Sequence, residues 1–211
     1  TPPGHSEYAA RLTNLAVLLS DDYEERANVA ALDEAIALYR DAVSATERVG
    51  SRVTERLNDL ALALRDRHKN SANADDLTEA VHLAARTIDA DERDKLTWAG
   101  YANNFGNALA ERYETTGDPE DLDRAIDLFG EALRTAASRR VEASGYATNL
   151  GLSLSVRAIS TGSLDDMALA IANLKRSIDL LPSDHPDLAY RVSNLADVLR
   201  QKSEMHHTAG E

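Results

Sequence analysis

Apolar residues recur at intervals of three and four along most of the chain, the spacing that puts them on one stripe of an α-helix. Tyr8, Leu12, Leu15, Ala16 and Leu19 form one such stripe, and Val53, Leu57, Leu60, Ala61 and Leu64 repeat it. A second pattern, Leu32, Ala35, Ile36, Tyr39, Ala42 and Val43, returns as Leu122, Ala125, Ile126, Phe129, Ala132 and Leu133. The centre of the first pattern falls at Leu15, Leu60, Phe105, Leu150 and Leu195, and the second opens at Leu32, Leu77, Leu122 and Met167. Both therefore advance by 45 residues. Two interleaved motifs with one step predict a helix A, a polar turn and a helix B in every repeat. Asn28, Asn73, Asp118 and Ser163 share the column before helix B, where a side-chain oxygen can accept from an unpaired amide of the first turn.

Small residues occupy one column on each helix: Ala16, Ala61, Gly106, Gly151 and Ala196 on helix A, and Ala35, Ala80, Ala125 and Ala170 on helix B. They would let the two helices of a pair approach closely. One pair cannot bury both its faces, so the pairs must stack.

These residues resemble the tetratricopeptide repeat, with a large residue, Leu-Gly/Ala and a further large residue on helix A, then Ala, an aromatic and Ala on helix B. The resemblance implies an all-α superhelix of antiparallel helix pairs, a solenoid of about nine helices. It spans residues 5 to about 200, with repeats at about 5–50, 51–95, 96–140 and 141–185, a half repeat at 186–202 and a polar tail at 203–211. The family repeat is about 34 residues. Here Ala16 to Ala35 is 19 residues and Ala35 to Ala61 is 26, so the extra length is split between the A–B turn and the B–A connection. The turn from Arg112 to Asp123 looks like the extended repeats beside CHAT peptidase domains and on signalling ATPases of actinobacteria and filamentous fungi. Thr1-Pro2-Pro3-Gly4-His5 lies four periods before Leu181-Pro182-Ser183-Asp184-His185, so the chain is expected to open in the linker of an earlier repeat, or in a mimic of it, and to be part of something longer.

Composition narrows the function. The formal charge is −13, from 23 basic against 36 acidic residues, which argues against a phosphate-tracking surface and hence against nucleic acid. No apolar run approaches a membrane span of about 18 residues, so no membrane insertion is expected. Cysteine is absent, which removes thiol nucleophiles and disulfides and weakly favours a reducing compartment; cytoplasmic placement is the expectation. No cofactor, metal or catalytic residue is expected. The six histidines, among them His206 and His207 in the tail, form no metal-ligating or catalytic motif, and Asp118 to Asp123 reads as helix capping. Trp98 shares a column with Tyr8, Val53, Ala143 and Leu188 and reads as core.

What remains is a surface. Asn14, Asp59, Asn104, Asn149 and Asn194 share the helix A column roughly opposite the buried stripe, the face that such stacks turn to their concave groove. A side-chain amide can hold both the C=O and N–H groups of an extended peptide. The column resembles the asparagine ladder of peptide-binding tetratricopeptide proteins, although the same amides could bond to a neighbouring helix or to water. Beside it lie Leu62, Asn107 and Leu152, with Asp21, Asp66 and Glu111 further along. The resulting groove, apolar in patches and acidic elsewhere, suits a neutral or basic protein segment. The function expected is a non-catalytic scaffold that binds a peptide or protein on helix A. The alternative is a regulatory array of a larger enzyme, a CHAT-type peptidase or signalling ATPase, with its catalytic domain elsewhere.

Overall fold

The computed structural model describes residues 7–48, 50, 53–89 and 95–208, with backbone alone at 95, 96 and 206–208. The expected linker Thr1–His5 and the side chains of His206 and His207 lie outside the described residues. Helices α1 (Tyr8–Arg26), α2 (Val29–Arg48), α3 (Thr54–Ser71) and α4 (Ala74–Ile88) belong to a first compact unit, Thr1–Glu92. Helices α5 (Lys95–Thr116), α6 (Pro119–Thr135), α7 (Arg140–Thr161), α8 (Leu164–Leu180) and α9 (Leu188–Thr208) belong to a second, Arg93–Glu211. Among the described residues there is no strand. The all-α reading and the alternation of helix A with helix B both hold, with odd-numbered helices as A and even-numbered as B.

Each helix B starts where the cap column predicts. Asn73 Oδ1 accepts from the Asp75 amide at 3.1 Å, Asp118 Oδ1 from the Glu120 amide at 3.1 Å, and Ser163 Oγ from the Asp166 amide at 3.1 Å. Asn28 Oδ1 does the same more weakly, at 3.4 Å from the Ala31 amide. Just before each cap the chain turns through the left-handed region, at Ala27 (φ 54°), Ala72 (φ 53°), Gly117 (φ 71°) and Gly162 (φ 74°), again one column of the repeat. That turn reverses the chain in two residues and makes α1–α2, α3–α4, α5–α6 and α7–α8 tight antiparallel pairs.

The small columns set the closeness of those pairs. A Cβ on Gly106 would stand 2.6 Å from Phe129 Cε1, and one on Gly151 would stand 2.7 Å from Leu174 Cγ and 3.0 Å from the Ala170 carbonyl oxygen. Ala16, Ala35, Ala125 and Ala170 are wholly buried. Trp98 is buried, as its column predicts.

A row of arginines that the sequence motifs did not single out ties down three of the four A–B turns, those after α3, α5 and α7. Arg67 donates to both carboxylate oxygens of Asp76 at 2.7 Å, Arg112 to those of Asp121 at 2.6 and 2.5 Å, and Arg157 to those of Asp166 at 2.9 Å. Asp121 therefore does more than bring negative charge to a helix start. Arg67 and Arg157 also reach back to the preceding helix B, donating to Asp33 at 2.9 Å and to Asp123 at 2.8 Å. Hydrogen bonds from Arg157 hold the Asp166 carboxyl below its ordinary range, and the carboxylates in turn raise the Arg67, Arg112 and Arg157 guanidinium groups above theirs.

Two expectations need correction. Helix α9 runs to Thr208, so the polar stretch from Ser203 is helical to that point and the fifth helix A does not end at Lys202. Leu15, expected on a buried stripe, is 46% exposed, whereas its counterpart Leu60 is 2% exposed because α2 packs on α3.

Candidate functional site

Within the second unit, α5, α7 and α9 present successive copies of the same helix A face, and the space between them forms a pocket of about 360 Å³. Its floor includes Phe129 and Leu122 of α6, with Leu152 and Val156 of α7 beside them. Phe129 can reach this place because Gly106 of α5, with no side chain of its own, yields to the ring. Asn107 and Asn149 bring amides to the edge, and Glu111 and Glu114 bring carboxylates. Tyr113 of α5 and Tyr190 of α9 complete the lining, Tyr190 with 57% of its surface exposed.

The asparagine column is less uniform than a ladder. Asn14 is exposed, Asp59 is half-buried, and Asn104, Asn149 and Asn194 are half-buried. Asn149 Nδ2 donates to Asn103 Oδ1 at 2.8 Å and to Asn107 Oδ1 at 3.2 Å, both on α5. Both its protons are thus spent on the neighbouring helix, and only Oδ1 is left to meet a ligand. The column cannot repeat that arrangement one step on. The positions of α7 matching Asn103 and Asn107 are Thr148 and Leu152, and the Thr148 hydroxyl donates to the Ser144 carbonyl. Asn194 Nδ2 is enclosed with no partner among the described residues. In the first unit, burial raises the Asp59 carboxyl above its ordinary value, with Glu55 adding to the effect and hydrogen bonding by Asn58 opposing it.

Of the residues picked out from sequence, Asn107, Glu111, Asn149 and Leu152 come together at this pocket. Asn104 and Asn194 lie on the same helices without lining it. Asn14, Asp59 and Leu62 belong to the first unit, described separately. Tyr113, Glu114, Phe129 and Leu122 were missed as lining residues. Phe129 and Leu122 read as core, which they also are, at 1% and 3% exposure. The signal for Tyr113 was an aromatic ring in an otherwise polar helix end.

A second depression of about 520 Å³ in the same unit, between α6, α7 and α8, mixes Arg124, Arg134 and Arg157 with Asp127 and Glu131. Its charges are of both signs, and Arg157 there is already committed to Asp123 and Asp166. Among the described residues no group of three or more His, Asp or Glu side chains is placed to hold a metal ion, and no helix is long and apolar enough to cross a membrane.

Comparison with known structures agrees with this architecture. The chain is similar to the kinesin light chain nearly identical TPR-like repeats of Podosopora anserina, at 15% identity and TM-score 0.64 over 97% of this chain and 92% of that one. A singly substituted form of the same repeats gives 0.66 at 15% identity, over 98% and 93%. BtubC (BKLC) from P. vanneervenii gives 0.55 at 15% identity, over 95% and 85%. The fold is thus that of the tetratricopeptide-like helical repeat, as its repeated columns suggest. Neither the family models nor the curated proteins searched give a match.

Proposed function

We propose that this chain is a non-catalytic scaffold that binds an extended peptide or protein segment on the helix A face of its second unit, where three A helices converge. The observation that carries this reading is the pocket itself. Residues spaced one period apart, Asn107 with Leu152 and Glu111 with Val156, meet there with Tyr190 to make a concavity of about 360 Å³, within the ordinary range for ligand sites. Asn149 Oδ1 would accept a hydrogen bond from the segment, while the apolar floor takes the stem of a side chain. A double replacement of Asn104 and Asn149 does not suit as a test, because removing Asn149 would also strip two hydrogen bonds between α5 and α7. Val156, 41% exposed, is a cleaner target.

Peptides selected on the whole chain from a library randomised over about a dozen positions, long enough to cross the three helices in extended form, would be titrated calorimetrically. Val156→Arg should weaken binding by about tenfold or more. Leu18→Gln, on the exposed surface of α1, should leave it unchanged. A library that yields no binder, or binders indifferent to Val156→Arg, would overturn the proposal. The regulatory-array reading uses the same surface and places chemistry in a separate domain; the complete reading frame decides between them. A cytoplasmic location belongs to the same proposal, tested by fractionating cells that express the tagged chain.

A further inference from the structure

We infer that the pocket between α5, α7 and α9 takes a lysine or arginine side chain of the bound segment as its anchor. The inference rests on the reading of this face as a peptide groove and deepens it. A long basic side chain has two parts with opposite needs, a methylene stem that gains by burial and a cationic head that must keep polar company. The pocket supplies both. Leu152 and Val156, beside a floor that includes Phe129, offer apolar contact for the stem. Glu111 and Glu114 supply negative charge for the head.

The aromatic rings sharpen the choice. Tyr113 and Tyr190 come from different helices and both line the pocket, and the Arg191 guanidinium stands 5.5 Å from the Tyr190 ring centroid, so one ring of the lining already carries a cation. Asn149 Oδ1, its amide protons already spent, is an acceptor, and a cationic head has only donors to offer it. Among the described residues no lysine or arginine lines the pocket. An acidic side chain would meet two like charges and an acceptor. A purely apolar one would cover Asn149 Oδ1 and the Glu114 carboxylate and offer them no donor. A basic anchor offers donors to Glu114 and Asn149 Oδ1, and it matches the acidic balance of the whole chain.

The peptides selected on the whole chain supply the test. In each, every Lys is replaced in turn by norleucine, which keeps the stem and removes the charge, and every Arg by citrulline. For one position the replacement should lower affinity about tenfold or more on the wild-type chain. That loss should shrink to about threefold or less on Glu111→Gln/Glu114→Gln. Thermal melts establish that the variant is folded, and Tyr190→Ser, at an exposed position, is a second variant that should also reduce the discrimination. Peptides that bind and respond to Val156→Arg, yet show no basic anchor or lose as much on both carboxamide and wild-type chains, overturn the inference and leave the groove standing. A library without binders overturns both.

Discussion

Helix α7 carries two interior glycines six residues apart, and alanine at each should move stability in opposite directions. At Gly145 nothing stands within 4 Å of an added Cβ. Alanine is about 1 kcal/mol better than glycine inside a helix, so Gly145→Ala should gain about 0.5–1 kcal/mol. At Gly151 the same gain meets an obstacle: Leu174 Cγ at 2.7 Å and the Ala170 carbonyl oxygen at 3.0 Å. Neither can give way cheaply, because Leu174 is wholly buried and the carbonyl belongs to the α8 backbone. Overpacking costs about 1–3 kcal/mol, and two rigid neighbours put this site in the upper part of that range. The net expectation for Gly151→Ala is a loss of about 1–2 kcal/mol. Urea unfolding followed by far-ultraviolet circular dichroism reads both variants in one background. Gly151→Ala with a midpoint at or above that of Gly145→Ala would refute the close-packing argument for the whole small-residue column.

Three further outcomes follow from the repeat geometry. Ala72→Gly, at a left-handed turn residue whose counterparts Gly117 and Gly162 are already glycine, should raise the urea midpoint, by about 1 kcal/mol of relieved strain. Asp166→Ala should cost about 1.5–3 kcal/mol by removing a bidentate partner of Arg157, as chemical denaturation at neutral pH would show. Because the folded-state pKa of Asp166 lies below its ordinary value of 3.8, the wild-type advantage should be full above about pH 5. It should shrink as the pH falls through the lower folded value, so the two stability curves converge in acid. Leu154→Ala should cost about 2–4 kcal/mol, whereas Leu199→Ala, one period later but 45% exposed, should stay within about 0.5 kcal/mol by the same melts.

Periodicity made most of the fold legible. The cap column, the small columns and the burial of Trp98 all follow from counting in steps of 45. The arginine clamps were open to the same counting. They stand in plain sight as Arg67 with Asp76, Arg112 with Asp121 and Arg157 with Asp166, always nine residues apart, but an acid at a helix start is explained well enough by capping alone. Helix α9 reaches Thr208 because α5 and α7 end at Thr116 and Thr161, and one more period lands at residue 206. Polar composition suggested a tail, yet the stretches that match residues 203–206, His68–Ser71, Tyr113–Thr116 and Ala158–Thr161, are helical as well. Leu15 and Leu60 occupy one column with opposite exposures, since burial depends on which neighbours are present. The pocket was half legible: its helix A residues follow from the face, while Phe129 and Leu122 reach it from behind through packing that no single-helix projection contains.

The arginine clamps also constrain how such a chain can change in length. Arg157 holds an acid nine residues ahead, in its own repeat, and another 34 residues behind, in the previous one. A duplication or deletion of a whole number of 45-codon units carries every such arginine along with an acid at both offsets wherever the previous copy supplies it. A change of length between Arg157 and Asp166 instead separates a half-buried pair. Whole-unit exchange thus keeps both charge pairs of a repeat in register, so repeat number can change without breaking either.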